Sequence, residues 1–237
     1  MKSELKFTIK DLVKAGAHYG HKQELWNPKM RDYIYSTKEK VHIIDLKITA
    51  LKLQQALQVV FQVAKKNGRI LFVNTKKQSS DIVKEAADRC GQYYINHRWL
   101  GGTLTNWQTI STSIKTLKKY EDIIGEGKKE HTKKEILDIS RKRDKLDRAI
   151  GGIRNLGGMP DILFVNDVKM HSIAVQEAKK LNIPVIAMVD TNSCPDNVDY
   201  VIPANDDSRK SIGFFFDIIA KAIILGMQES ADQLSSN

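Results

Sequence analysis

The string ILFVN occurs twice, at 70–74 and 162–166, and it constrains this chain more than any other feature. The match extends past the pentapeptide. Val83 and Val175, Glu85 and Glu177, and Ala86 and Ala178 keep the same offset of 92 residues. In both copies another apolar run follows, QYYIN and IPVIAMVD. Continuous apolar runs suit parallel strands buried on both faces. Two βαβ units are the simplest architecture that repeats in this way.

Other segments extend that scheme. VHIIDL (41–46) reads as a strand. In ITALKLQQALQVVFQVAKKNG, Leu51, Leu53, Ala56, Leu57, Val60, Phe61 and Ala64 fall at helical spacing, and Gly68 stops the helix. DYVIPAN (199–205) reads as a late strand, and the closing helix SRKSIGFFFDIIAKAIILGM has Ser208 as its expected N-cap. Strands and helices alternate, so an open, mostly parallel α/β sheet is expected. Residues 104–150 break the alternation. Ile110, Ile114, Leu117 and Ile124 form one thin apolar stripe, and Ile136, Ile139, Leu146 and Ile150 form another. GEGKKEHT separates them, which describes an inserted, protruding antiparallel helical hairpin with a coiled-coil seam. The expected organisation is an α/β body at 1–103 and 151–228, an arm at 104–150, and a disordered polar tail at 229–237. The N-terminal helix stacks Ile9, Leu12 and Val13 on one side.

Charge narrows the partners. Lys and Arg exceed Asp and Glu by ten, and the pI is about 9.4. A chain this basic attracts polyanions, nucleic acid first. Cys90 and Cys194 have neither CxxC nor zinc-site spacing, which suits a reducing cytosol. The N-terminus shows no apolar stretch of a secretory signal. Asp217 and Lys221 interrupt the most apolar segment, so a membrane span is not expected.

Enzymatic signatures are sparse. No G-x-G-x-x-G follows a strand, and neither a P-loop, G-x-S-x-G nor H-E-x-x-H occurs. The Gly pairs at 151–152 and 157–158 precede a strand, the wrong end for a ligand crevice, and read as a flexible, tightly turned re-entry into the body. His18 and His21 lie in GAHYGH. A divalent metal, zinc or magnesium, held by His21, Asp190, Asp206 and Asp207 is an expectation, since those carboxylates sit at or just past strand ends. The competing reading is a nucleotide- or sugar-phosphate-binding α/β enzyme that uses such a metal.

Basic, aromatic and amide side chains concentrate in three stretches. HKQELWNPKMRDYIY contributes Lys22, Trp26, Asn27, Lys29 and Arg31. TKKQSS contributes Lys76 and Lys77. NHRWLGGTLTN contributes Asn96, His97, Arg98, Trp99, Thr103 and Asn106, with a Gly-Gly pair whose N–H groups could approach a phosphate. Cations suit phosphates, and planar groups suit exposed bases and riboses. A Trp beside apolar neighbours packs as readily as it stacks on a base.

KAGAHYGH, WNPKM, KVHIIDL, ILFVNTKKQ, NHRWLGGTLTNW, LGGMPDILFVND and IPVIAMVDTNSCPD together resemble the family of bacterial small-subunit ribosomal protein number two, over about residues 12–207. The resemblance implies a flavodoxin-like or Rossmann-like body carrying a protruding helical hairpin. It implies a cytoplasmic, non-catalytic component of the small subunit, seated between head and body. It also implies small-subunit ribosomal RNA and neighbouring ribosomal proteins as partners, including protein one, which delivers messenger RNA, and no membrane or small-molecule substrate. Cys194 stands where an acidic residue is common in the family.

Overall fold

The computed structural model describes residues 6–126 and 132–235. In chain order the elements are α1 (Ile9–Ala15), β1 (Tyr19–Lys22), β2 (Ile34–Lys38), β3 (Val41–Ile44), α2 (Leu46–Lys65), β4 (Ile70–Val73), α3 (Ser80–Arg89) and β5 (Tyr93–Ile95). Then follow α4 (Trp107–Glu126), α5 (Lys133–Ile150), β6 (Ile162–Asn166), α6 (Ser172–Lys180), β7 (Val185–Val189), β8 (Tyr200–Pro203) and α7 (Arg209–Ser235). Five strands form a parallel sheet in the order β5-β4-β6-β7-β8. Its centre is the repeated pentapeptide: Ile70 pairs with Ile162, Leu71 with Leu163, Phe72 with Phe164 and Val73 with Val165.

Successive residues of each strand enter opposite cores, as a pleated strand demands. Ile70, Phe72, Ile162, Phe164, Ile186 and Met188 face the layer made by α2, α3 and α7. Leu71, Val73, Leu163, Val165, Val185 and Ala187 face the other layer, with Ala174, Val175 and Ala178 of α6 and with Ile110, Leu117 and Ile150 of α4 and α5. Phe216 of α7 closes on the paired phenylalanines, its ring centre 4.8 Å from Phe164 and 5.6 Å from Phe72. Such aromatic pairs add about 0.5–1.5 kcal/mol each beyond their burial.

Four points differ from the sequence reading. VHIIDL does not join the parallel sheet. β3 is instead the centre of a separate antiparallel sheet, β1-β3-β2, and Asp45 caps α2 by accepting from the Lys47 N–H at 2.8 Å. Of the expected stripe on α1, Ile9, Leu12 and Val13, only Leu12 is buried, while Ile9 and Val13 are exposed. The expected disorder from residue 229 does not begin there. α7 runs to Ser235, and Glu229 accepts from Lys65 of α2 at 2.6 Å. The Gly151–Gly152 re-entry is a packed turn, because a Cβ on Gly152 would strike the Tyr94 carbonyl.

α7 is long and apolar enough by length and composition to cross a membrane, yet more than half of its most apolar stretch is buried inside the protein. Asp217, within it, pairs with Arg89 of α3 at 2.8 Å. α4 and α5 pack on each other. Thr132 and Glu135 form a capping box at the start of α5. The expected turn between them falls largely on residues 127–131, outside the described residues.

Candidate nucleic-acid interface

In a parallel sheet, every loop that follows a strand emerges at the same end. The segment after β4 carries Lys76 and Lys77, and the segment after β5 carries Asn96 to Asn106. The third basic stretch reaches that end through β7. The Asn27 N–H donates to the Thr191 carbonyl at 2.7 Å, and the His21 N–H donates to the Thr191 hydroxyl at 2.9 Å. Two 3-10 turns, Gln23–Leu25 and Pro28–Tyr33, hold this stretch, and the Asn27 carboxamide caps the second by accepting from the Lys29 N–H.

The Gly-Gly cradle in NHRWLGGTLTN is real, but its anion comes from the chain itself. Glu177 of α6 accepts from Gly102 N–H at 2.8 Å, Leu104 N–H at 2.9 Å, Thr105 N–H at 3.2 Å and Trp99 Nε1–H at 3.1 Å. Burial pushes its carboxyl upward, and the N–H groups of Leu104 and Gly102 outweigh that, holding it below the usual range. The expectation that the Gly102 N–H meets a phosphate is therefore corrected. Gly102 adopts φ +85°, which glycine allows without strain. Trp99 is half-buried, the Asn96 carboxamide donates to the Ser80 carbonyl at 2.9 Å, and the buried Thr103 hydroxyl donates to the Leu100 carbonyl. Asn106 is exposed and accepts from the Thr109 hydroxyl at 2.9 Å. His97 and Arg98 remain on the outside of this pinned loop.

The other expected contacts divide in the same way. Lys22, Arg31 and Lys77 are exposed and, like Arg98, have no ion-pair partner among the described residues. Lys29 is exposed but bonded to Asp196. The Trp26 ring lies 5.6 Å from that of His42, and the residue is partly exposed. Lys76 is corrected outright as a phosphate ligand. Its ammonium is largely buried and lies 2.9 Å from Asp167, 3.0 Å from Asp206 and 2.7 Å from Asp207.

That ion cluster fills the point between β4 and β6 where the direction of strand order reverses and where sheets of this kind bind ligands. Asn74 and Asn166 form its floor. His171 accepts from the Thr75 N–H at 3.0 Å, and burial pushes its pKa down. His21 bridges Asp190 at 3.0 Å and Asp207 at 3.2 Å. The Asp190 carboxylate raises the His21 pKa against the opposing effect of burial. Burial, followed by the nearby Asp167, pushes the Asp206 carboxyl up to about 7. His21 thus lies between Asp190 and Asp207, with Asp206 nearby. Even so, among the described residues no group of three or more His, Cys, Asp or Glu side chains is arranged to hold a metal ion. The Lys76 ammonium pairs with two of these carboxylates, Asp206 and Asp207.

Asp167, His171 and Glu177 are organising residues that the sequence reading passed over as site residues. Glu177 offered a signal: it is an acidic residue on the apolar face of AVQEAKK, flanked by the buried Ala174, Val175 and Ala178.

Residues 12–226 match the family model described as Ribosomal protein S2. The chain belongs to the ribosomal protein S2 family. A protein named small ribosomal subunit protein uS2 from Rickettsia canadensis (strain McKiel) is 54% identical over 224 residues, covering 94% of this chain and 76% of its own length. Its namesake from Ehrlichia canis (strain Jake) is 54% identical over 219 residues, covering 92% of this chain and 75% of its own length. The namesake from Methylobacterium nodulans is 51% identical over 228 residues, covering 96% of this chain and 65% of its own length. Membership in the ribosomal protein S2 family makes the chain a non-enzymatic part of the small ribosomal subunit, acting in translation in the cytoplasm. It sets aside the reading as a nucleotide- or sugar-phosphate enzyme. The filled crevice between β4 and β6 agrees, because a bound phosphate there would face Asp167, Asp206 and Asp207.

Proposed function

We propose that the chain binds small-subunit ribosomal RNA through the outward cations at the carboxyl end of its parallel sheet, with Lys22, Arg31, Lys77 and Arg98 carrying the phosphate contacts. His97, Trp26 and Asn106 lie beside them as base or ribose contacts. Lys76, Asn96, Trp99, Thr103 and Asn27 serve by holding the loops, and Lys29 contacts RNA only by leaving Asp196. The observation that carries the reading is the division of labour at this end: internal carboxylates neutralise Lys76 and the N–H cradle, and the exposed cations beside them have no ion-pair partner among the described residues. Rigid loops present those charges without an ordering penalty on binding. Phosphate contacts of this kind fix orientation on RNA, and recognition is by shape more than by base.

In this reading α4 and α5 form an antiparallel arm over 104–150 that projects from the body at 1–103 and 151–228. The arm and α1, which exposes Ile9 and Val13, dock neighbouring ribosomal proteins, including the messenger-recruiting protein one. Hydroxyl-radical footprinting of small-subunit ribosomal RNA with the purified chain tests the RNA contacts. Protection that disappears with Lys22, Arg31, Lys77 and Arg98 all changed to Gln supports the reading. Unchanged protection refutes it. Protein partners retained after nuclease digestion test the docking role.

A further inference from the structure

The loop after β5 and the α4–α5 pair enclose a cleft of about 750 Å³. That size falls within the roughly 300–1,000 Å³ typical of clefts that take small organic groups. Its floor is apolar and aromatic: Leu100, Tyr120, Leu146 and Ala149, all half-buried. Its rim is cationic. Arg141, Lys145 and Arg148 recur at helical spacing along α5, Lys142 stands beside them, and Arg98 faces them from the loop. Among the described residues the one carboxylate in the lining, Asp144, lies 2.9 Å from Arg143. Arg141 has only an exposed Asp138 at 4.0 Å, and Arg98, Lys142, Lys145 and Arg148 have no ion-pair partner among the described residues.

This arrangement is costly for the chain alone. Like charges at i,i+4 destabilise a helix, and an aromatic floor exposed to water gains nothing. The two features together specify one occupant. A paired RNA helix offers phosphates to the rim but no base face to the floor. An unstacked nucleotide offers both, because its base has an apolar plane and its neighbours carry the phosphates.

We propose that this cleft takes an unstacked nucleotide of RNA, a bulged or single-stranded base lying on Tyr120 and Leu146. Its flanking phosphates meet Arg98, Lys142, Lys145 and Arg148. The proposal rests on the RNA-binding reading above and adds the class of RNA element that the arm selects.

The test uses the full chain with two RNA hairpins, one carrying a single bulged 2-aminopurine and one fully paired. The bulged hairpin should bind roughly 5- to 150-fold more tightly, the range that base–aromatic stacking spans. Its fluorescence should change on binding. Tyr120→Leu, which keeps apolar volume, should abolish the fluorescence change and the preference while affinity for the paired hairpin holds. Lys145→Glu with Arg148→Glu, both on an exposed face, should weaken the bulged hairpin more than the paired one. Equal affinity of the parent for both hairpins overturns the cleft proposal and leaves the RNA reading standing. No binding of either overturns both. Displacement of the bulged hairpin by an acidic peptide, with no fluorescence change on RNA binding, assigns the cleft to protein instead and overturns the proposal.

Discussion

Asn166 donates through its carboxamide to that of Asn74 across 3.4 Å, so equivalent residues of the two βαβ copies stand side by side where the order of strands reverses. Asn74 also donates to Ser79 at 2.8 Å, and Asn166 to the Asp206 carbonyl at 3.1 Å. The repeat therefore does more than build two strands. It makes a polar platform on which Lys76 and its carboxylates sit.

Lys76→Met should destabilise the fold. The ammonium is mostly buried and neutralises Asp167, Asp206 and Asp207, and taking one partner from a buried ionic group typically costs about 3–5 kcal/mol. Urea denaturation followed by circular dichroism measures this. A loss below about 1 kcal/mol, the scale of a surface pair, contradicts the structural role given to Lys76.

Asp206 sets a pH dependence. Its carboxyl is pushed up to about 7 from an ordinary value of 3.8, chiefly by burial, so the folded chain holds this proton more tightly than the unfolded chain does. Its contribution to stability is complete below the ordinary value and is lost as pH rises through about 7. Asp206→Asn cannot titrate. Relative to the parent, it should gain stability as denaturation is measured from pH 5 up to about pH 7, and the gain should level off above that. A difference between the two that stays constant with pH contradicts the assignment.

Glu177→Ala should release the loop that carries Arg98. Five donors lose a buried carboxylate at once, and charged hydrogen bonds contribute about 1.5–3 kcal/mol each when compensated, so a loss of about 3 kcal/mol is a conservative expectation. Hydrogen exchange at Gly102, Leu104 and Thr105 should accelerate well beyond that of β6. Unchanged protection at those amides contradicts the picture of an internally satisfied cradle.

The parallel sheet was legible because its strands are continuous apolar runs; that the two repeat strands pair with each other, in the register of the 92-residue offset, appears only in the structure. β1 and β2 were not legible. YGHK and IYSTK carry little apolar signal, since their sheet lies largely in solvent and is held by long-range bonds such as Ile44 N–H to the His18 carbonyl. The cations were visible as residue types, but their partners were not. Lys76 finds Asp206 at a separation of 130 residues, Lys29 finds Asp196 at 167 and Trp99 finds Glu177 at 78. Only folding reveals which positive charges the chain neutralises itself.

Lys77 and Arg98 follow adjacent strands, β4 and β5, and neither has an internal partner among the described residues. The salt dependence of ribosomal RNA binding, compared between the parent and Lys77→Gln/Arg98→Gln, tests the central claim most directly. Two lost phosphate contacts should make the slope of log affinity against log salt shallower by about 1.4 to 1.8, since each contributes ~0.7–0.9. Equal slopes for parent and variant, with both proteins folded, would mean that the uncompensated charges at this end of the sheet face something other than RNA.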